Sequence, residues 1–276
     1  MRLPLLVEPR ELLEHLHDPH LVLIDVSHAL VYREAHIPGA RHLEIARILA
    51  GTQPCPGTVP EPEQLHRALE SLGIEPHHHI IAFDDEGGGW AARFLWTLHL
   101  CGHTGYSYLN GGLVAWLSEG YPVTSELPTI DPSKWTVTGH PEVLADADYI
   151  LSRLGHPDCT LWDARSLEEY TGQLQFGPKA GHIPGAIHLD WTELLDPVRH
   201  MRLRPLAELH VLLDKVGLRA STEVICYCQA HHRSALAWLT GRILGMTNIK
   251  AYPGSWAEWS TLRHAPTVRL SNPYES

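Results

Sequence analysis

The stretch LVLIDVSHALVYREAHIPGARHL, residues 21–43, decides the fold because a second copy of it follows later in the chain. The second copy is TLWDARSLEEYTGQLQFGPKAGHIPGAIHL, residues 160–189, which carries an insertion at 172–181. Both copies contain the motif His-Ile-Pro-Gly-Ala, and the other aligned pairs are Asp25 with Asp163 and Tyr32 with Tyr170. A repeat of this kind indicates the duplication of a whole domain, since the unit is longer than a short solenoid repeat.

Two further markers occur in the same order in each half of the chain. The segment HIIAFDDEGGGWAARFLW at 79–96 corresponds to EVICYCQAHHRSALAWL at 223–239. The segment YLNGGLVAW, which ends at Trp116, corresponds to AYPGSWAEW, which ends at Trp259. We expect these two tryptophans to fill equivalent cores.

Each half alternates between short apolar runs and amphipathic stretches. The apolar runs that predict strands are LVLID, HIIAFD and YSYL in the first half, and TLWD, EVICYC and IKAY in the second. Stretches such as PEQLHRALESLG and LAELHVLLDKVGL predict helices between them. This pattern predicts the α/β class, with two tandem domains that each have a central, mainly parallel sheet and helices on both faces. A proline-rich polar segment predicts a linker at 125–142, between domains 1–124 and 143–276.

Composition narrows the class of protein. The 276 residues carry a formal net charge of −11, which argues against a nucleic-acid partner because no basic face is visible. Five irregularly spaced cysteines argue against a disulfide framework and favour reduced thiols. No apolar stretch approaches the roughly 18 residues of a membrane span, and the first residues carry charge too early for a signal peptide. We therefore expect a cytoplasmic protein with no membrane partner.

The stretch ICYCQAHHRSALAWL, residues 225–239, carries the candidate chemistry. Cys228 ends a predicted strand and precedes a predicted helix, which is where open parallel sheets bind ligands. The amino end of that helix and the Arg233 cation both favour a thiolate at Cys228. Because His231, His232 and Arg233 add donors, the pattern predicts a covalent cysteine intermediate formed from an anionic donor.

The loop, the repeat and both His-Ile-Pro-Gly motifs resemble the two-domain rhodanese family. The loop Cys228-Gln-Ala-His-His-Arg is most similar to the Cys-Gln-x-His-His-Arg loop of bacterial thiosulfate:cyanide sulfurtransferases. The resemblance implies that Cys228 takes the outer sulfur of thiosulfate as a persulfide and passes it to cyanide, to another thiol or to a protein acceptor. It implies that loop amides hold the persulfide and that Arg233 holds the donor, with no cofactor and no metal. The expected substrate-binding residues are Arg233, His232, His231, Gln229, Ala230, Ser234 and Trp191.

Two departures from other rhodaneses affect the expected donor. Mammalian-type members carry a substrate-contacting arginine four residues after the arginine of their Asp-x-Arg motif, and counting from Arg165 reaches Glu169 here. Members that use 3-mercaptopyruvate carry a small neutral loop of the Cys-Gly-x-Gly kind, whereas this loop is large and cationic. The loop therefore favours the doubly charged thiosulfate, and 3-mercaptopyruvate is the alternative donor.

The first half is predicted to be catalytically silent. Its position equivalent to Cys228 is Asp84, and a carboxylate cannot accept a sulfane sulfur. The glycines at 87–89 lack the Lys-Ser/Thr that would follow in a phosphate loop. We therefore interpret this loop as a relic of the duplication.

Three other functions compete with the rhodanese reading. A phosphatase would need Cys-x5-Arg, but four residues separate Cys228 from Arg233. A metal site could draw on Cys226, Cys228, His231 and His232, although a strand-to-helix turn brings such side chains to one tetrahedral centre only with difficulty. A persulfide carrier for a protein partner would use the same Cys228, and the sequence does not separate it from the enzyme.

Overall fold

The computed structural model describes residues 3–133 and 139–270, and these residues fold as two compact α/β units. The N-terminal unit comprises Met1–Leu49, Pro60–His140 and Leu195–Leu203. The C-terminal unit comprises Ala50–Val59, Pro141–Leu194 and Arg204–Ser276. Each unit has a parallel sheet flanked by helices, so the predicted fold class is confirmed.

The N-terminal unit is built on a sheet with the strand order β1-β5-β4-β2-β3, in which neighbouring strands pair in parallel. Its central strands β2 and β4 are in register from Leu21 opposite His79 to Asp25 opposite Phe83. In chain order the elements are β1 (Leu6–Val7), α1 (Pro9–His15), β2 (Leu21–Asp25), α2 (Ala29–Glu34), β3 (Arg41–His42), α3 (Pro62–Ser71), β4 (His79–Phe83), α4 (Gly89–Leu100), β5 (Tyr106–Leu109) and α5 (Gly112–Ser118).

The second half of the chain repeats this plan with the order β11-β10-β6-β7, again with parallel neighbours. Its elements are α6 (Ala147–Arg153), β6 (Cys159–Asp163), α7 (Leu167–Thr171), β7 (Ile187–His188), β8 (Leu195–Asp196), β9 (Arg202–Leu203), α8 (Leu206–Val216), β10 (Glu223–Tyr227), α9 (Arg233–Ile243), β11 (Ile249–Ala251) and α10 (Ser255–Trp259). The antiparallel pair β8–β9 belongs to the N-terminal unit.

The strands and helices form where the sequence predicts them, because apolar periodicity matches burial. All residues of β4 and β10 are buried, as expected for central parallel strands. In α8, Leu209 and Leu213 lie four residues apart on the buried face. Trp116 and Trp259 are buried in equivalent cores, as expected. Within the described residues, no helix is both long enough and apolar enough to cross a membrane.

The repeated His-Ile-Pro-Gly motif builds the same local structure in both units. In the N-terminal unit, Nδ1 of His36 lies 2.7 Å from the carbonyl oxygen of Tyr32, and the two rings stack. In the C-terminal unit, Nδ1 of His182 lies 2.8 Å from the carbonyl oxygen of Tyr170, again with stacked rings. The motif therefore has a structural role in both copies.

Each half of the chain contributes one segment to the unit formed mainly by the other half. Residues 50–59 pack in the C-terminal unit, where a Cβ on Gly57 would clash with the carbonyl oxygen of Ala230. Residues 195–203 pack in the N-terminal unit, where the amide of Leu203 donates to Oδ1 of Asn110 at 2.8 Å. We retain 1–124, 125–142 and 143–276 as a proposal for the domain limits along the chain; residues 1–2, 134–138 and 271–276 lie outside the described residues.

Candidate active site

Cys228 lies at the carboxyl end of the central strand of the C-terminal unit. Strand β10 pairs with β6 on one side and with β11 on the other, and it ends at Tyr227. Cys228 follows directly, and α9 begins at Arg233. We call residues 228–233 the Cys228 loop. The loop lies at the edge of the sheet where parallel α/β folds bind their ligands.

Ser255 fixes the backbone of the Cys228 loop. Its Oγ accepts hydrogen bonds from the amides of Cys228 (3.3 Å) and His231 (3.1 Å), and it donates to the carbonyl oxygen of Tyr252 at 2.8 Å. His231 and Ser255 have φ values of 52° and 53°, in the left-handed region that is unfavourable for residues other than glycine. These hydrogen bonds stabilise the strained conformation at both positions.

Sequence reasoning missed Ser255, because the repeat shows its importance only when it is combined with the backbone conformation. Counting back from the aligned Trp116 and Trp259 places Ser255 opposite Gly112. Gly112 has a φ of 55°, so the two positions share one backbone conformation. A serine where the first copy has a left-handed glycine indicates a side chain with its own hydrogen-bonding role.

The sulfur of Cys228 is surrounded by hydrogen-bond donors. Ser234 Oγ donates to Sγ at 3.4 Å, and Nδ1 of His231 lies 2.9 Å from the same Oγ. Burial alone would raise the pKa of Cys228, but the charge of Arg233, the Ser234 hydroxyl and the amides of Ser234 and Ala230 hold that pKa below its ordinary value. The thiolate, which is the reactive form, is therefore favoured.

Not every amide of the loop faces the sulfur. The amides of Ala230 and Ser234 interact with Cys228, whereas the amide of His231 donates to Ser255. Cys226, two residues earlier on β10, is fully buried, and desolvation raises its pKa well above the ordinary value. The two neighbouring cysteines therefore differ, because only Cys228 reaches the donors at the end of the strand.

Arg233 forms a bidentate ion pair with Glu169 on α7. Nη1 lies 2.5 Å from Oε2, and Nη2 lies 2.9 Å from Oε1. Glu169 also belongs to a capping box with Ser166 at the start of α7. Burial raises the pKa of Glu169, but the contacts with Arg233 outweigh it and hold the pKa below the ordinary value. The sequence marked Glu169 as a departure from the family pattern but did not pair it with Arg233.

A cavity of about 470 Å³ opens beside the loop within the C-terminal unit. Five parts of the chain line it: the 50–59 segment, α7, the insertion 172–181, the Cys228 loop and α10. The lining residues are Gln53, Pro54, Pro56, Glu169, Phe176, Gly177, Gln229, Arg233 and Ala257. Cys228 itself is only 1% exposed, so a ligand in this cavity lies next to Gln229 and Arg233 before it reaches the sulfur.

The remaining predicted site residues lie around the same loop. The ring of His232 lies 6.2 Å from the ring of Trp191, between centroids, so these two side chains are neighbours. His231 is buried with its ring against Ser234, and Oε1 of Gln229 is buried without a hydrogen-bond partner in the described residues. Among residues 3–133 and 139–270, no group of three or more His, Cys, Asp or Glu side chains is arranged to hold a metal ion.

The equivalent loop of the N-terminal unit is filled by its own carboxylate. Oδ1 of Asp84 accepts from the amides of Glu86 (3.0 Å) and Gly88 (2.8 Å). Oδ2 accepts from the amides of Trp90 (3.0 Å) and Ala91 (2.9 Å). Desolvation raises the pKa of Asp84 although these bonds lower it. Four amides in the loop and at the start of α4 are therefore already bound to the Asp84 carboxylate.

Comparison with known proteins identifies the family. The model of the rhodanese-like domain matches residues 8–119 and 146–262. The chain belongs to the rhodanese family.

Curated members of this family resemble the chain along almost its whole length. A thiosulfate sulfurtransferase of Azotobacter vinelandii is 43% identical over 264 residues, which is 96% of this chain and 97% of that protein. The sulfur carrier protein TtuD of Thermus thermophilus is 30% identical over 270 residues, 93% of each chain. The crystal structure of the 3-mercaptopyruvate sulfotransferase SseA from Escherichia coli superposes with a TM-score of 0.82 at 27% identity, covering 92% of this chain and 99% of that one.

Proposed function

We propose that this rhodanese is a thiosulfate sulfurtransferase that carries the sulfur on Cys228. The observation that carries the proposal is the environment of Cys228, whose pKa is lowered in spite of complete burial. The similarity to the thiosulfate sulfurtransferase of Azotobacter vinelandii supports the choice of donor.

The reaction has two displacements on the outer sulfur atom. The Cys228 thiolate attacks the sulfane sulfur of thiosulfate; the sulfur–sulfur bond of the donor breaks, and sulfite leaves with the electron pair. Cys228 then carries a persulfide with one negative charge. Cyanide or a thiolate then attacks the terminal sulfur, and the sulfur–sulfur bond of the persulfide breaks. The product is thiocyanate or a new persulfide, and the electron pair returns to Cys228 as the thiolate. No proton and no redox cofactor enters the balance.

The loop stabilises the anion at each stage. The amides of Ala230 and Ser234 and the Ser234 hydroxyl face the sulfur, so they lower the free energy of the thiolate and of the persulfide. His231 orients the Ser234 hydroxyl through Nδ1. In this proposal Gln229, His232 and Trp191 contact the donor at the mouth of the site, and Arg233 supplies the positive charge.

The acceptor and the location belong to this proposal as well. Cyanide, a small thiol and a protein acceptor all attack the persulfide in the same way, and similarity to the sulfur carrier TtuD supports the protein acceptor. All five cysteines are free, which is consistent with a reducing compartment, and we propose the cytoplasm.

A specific observation supports 3-mercaptopyruvate as a second candidate donor. The Arg233 cation is paired with Glu169, so the site is less positive than its loop sequence suggests. The structural likeness to the 3-mercaptopyruvate sulfotransferase of Escherichia coli supports the same candidate. A kcat/KM for thiosulfate well above that for 3-mercaptopyruvate supports the first donor, and the reverse ratio supports the second.

Thiocyanate formation from thiosulfate and cyanide tests the proposal. We expect turnover in the wild type, none in Cys228→Ser, and unchanged turnover in Cys159→Ser. Cys159 is a matched control because it lies at the amino end of β6, whereas Cys228 lies at the carboxyl end of the sheet. Burial raises the pKa of the Cys159 thiol to about 11. Turnover that survives in Cys228→Ser would contradict the proposal.

A further inference from the structure

Arg233, the cationic side chain among the described residues that line the cavity, is already paired with Glu169. Both terminal nitrogens of Arg233 contact the Glu169 carboxylate, and Glu169 is 4% exposed. A bidentate pair of this kind uses the edge of the guanidinium that would otherwise bind a sulfonate or carboxylate. An incoming donor anion therefore meets a cation that already shares both terminal nitrogens with a carboxylate.

Other cations near the site are engaged elsewhere. Arg165 is buried, with its guanidinium on Asp163 and on the carbonyl oxygen of Gly181. Lys179, in the insertion, donates to the carbonyl oxygens of Leu262 and Ala265. Among the described residues that line the cavity, Arg233 is the one cationic side chain.

The charges around the reacting sulfur therefore sum to a negative value. The Cys228 thiolate and Glu169 each contribute one negative charge, and Arg233 contributes one positive charge. The unfavourable electrostatic energy of approach to this site is about twice as large for a dianion as for a monoanion, because Coulomb energy is proportional to the charge of the ligand. Removal of the Glu169 charge lowers that energy for both ligands, and more for the dianion.

We propose that Glu169 is a specificity-determining residue that competes with the donor for Arg233 and so selects against doubly charged donors. This inference rests on the proposed function, since it concerns the donor of the same site. The donor anion displaces the Glu169 carboxylate from Arg233 during binding. Because the displacement is complete before sulfur transfer, Glu169 affects KM and leaves kcat nearly unchanged.

Donors that differ in charge test this role. Thiosulfate is a dianion, and benzenethiosulfonate offers the same sulfane sulfur on a monoanion. In Glu169→Gln we expect kcat/KM to rise about tenfold for thiosulfate and about threefold for benzenethiosulfonate, through KM. Glutamine retains the capping box of α7, so the helix should form normally. Glu169→Met gives the same comparison if the glutamine variant does not fold.

Glu168→Gln is the matched control. Glu168 is the neighbouring residue on α7, it is exposed, and its replacement changes the net charge by the same amount. We expect less than a twofold change for either donor. Equal changes for both donors in Glu169→Gln, or a weaker use of thiosulfate by the folded variant, would overturn the inference and leave Glu169 a structural partner of Arg233.

Binding without turnover separates this inference from the proposed function. In the Cys228→Ser background, calorimetry with thiosulfate and benzenethiosulfonate measures affinity alone, with and without Glu169→Gln. The expected gain in affinity is again larger for thiosulfate. If the wild type turns over neither donor but this order holds, the proposed function fails and the inference stands. If the wild type turns over thiosulfate and the order is absent, the inference fails alone.

Discussion

The two halves of the molecule present the same loop with opposite contents. Asp84 follows β4 and Cys228 follows β10, and in each case the next helix begins five residues later, at Gly89 or Arg233. The amides of Glu86 and Trp90 bind the Asp84 carboxylate, and the amides of Ala230 and Ser234, at the same offsets, interact with the Cys228 sulfur. In both units, the duplicated loop therefore directs backbone amides at an acidic side chain.

The comparison shows how one fold can hold a carboxylate in one copy of the loop and a candidate catalytic cysteine in the other. In the N-terminal unit a carboxylate is the permanent occupant and receives four amide hydrogen bonds. In the C-terminal unit the Cys228 sulfur interacts with the amides of Ala230 and Ser234, with the Ser234 hydroxyl and with the Arg233 cation. The aligned residues Asp163 and Asp25 also differ in whether a cation is nearby. Asp163 has a buried arginine partner in Arg165, whereas no arginine partner is found for Asp25 among the described residues. One oxygen of Asp25 has no hydrogen-bond partner in that part of the chain.

The largest expected effect comes from making the Cys228 loop resemble the loop that contains Asp84. Cys228→Asp should abolish sulfur transfer, with a loss of at least about a thousandfold, because a carboxylate cannot carry a sulfane sulfur. The same variant should lose less than about 2 kcal/mol in unfolding free energy, because the loop already binds an anion. Thiocyanate assay and urea denaturation measure the two quantities.

Cys226→Asp is the matched control for that variant. Cys226 is equally buried, but it lies inside β10 away from the donors of the loop. A carboxylate at this position should cost about 4 kcal/mol or more, since its charge is buried without a partner. Similar losses of stability for the two aspartate variants would contradict the view that the Cys228 loop is an anion site.

The stability of the N-terminal unit should depend strongly on the Asp84 carboxylate. Asp84→Ala leaves four amides without their partner, and we expect a loss of about 4 kcal/mol in unfolding free energy. Asp85→Ala, next in the chain, should cost less than about 0.5 kcal/mol, because the buried oxygen of Asp85 has no hydrogen-bond partner in the described part of the chain. Urea midpoints of the two variants decide the matter, and equal midpoints would count against the anion site.

Asp25 should make the stability of the protein depend on pH. Burial raises the pKa of Asp25 from 3.8 to about 6. The unfolded chain therefore ionises first, and this residue lowers the unfolding free energy by about 2 kcal/mol as pH rises from 4 to 6. Asp25→Asn removes that slope, so the variant should gain stability relative to the wild type over this window. A constant difference between pH 4 and pH 7 would exclude the effect.

The smallest effect concerns the hydroxyl of Ser234, next to the Cys228 loop. In the first copy the equivalent residue is Trp90, which has no hydroxyl. Ser234→Ala removes a hydrogen bond to the thiolate, so the pKa of Cys228 should rise and sulfur uptake at pH 7 should slow by about tenfold. The pH profile of thiolate absorbance measures the change in pKa. Thr240→Ala on the same helix is the control, since its buried hydroxyl has no partner in the described residues. An unchanged profile in Ser234→Ala would remove the hydroxyl from the account.

Much of the fold could be predicted because it depends on local patterns. Apolar runs such as β4 and β10, the helix periodicity of α8 and the repeat itself are all visible within short windows of sequence. The position of Cys228 followed from the same patterns. It ends a predicted strand, and open parallel sheets bind their ligands beyond the carboxyl ends of the strands.

What the sequence did not predict depends on contacts between distant residues. Glu169 and Arg233 are 64 positions apart, and nothing near either residue indicates that they pair. The packing of residues 50–59 with the unit formed by the second half has no local signal either. The role of Ser255 required the knowledge that Gly112 adopts a left-handed conformation, which the alignment of the copies does not contain.

Intact mass after treatment with thiosulfate tests the central claim most directly. We predict that the wild type gains the mass of one sulfur atom, that the gain maps to the peptide containing Cys228, and that cyanide removes it. Cys228→Ala should gain nothing. A sulfur adduct that persists in Cys228→Ala, or a wild type that gains none, would contradict the account.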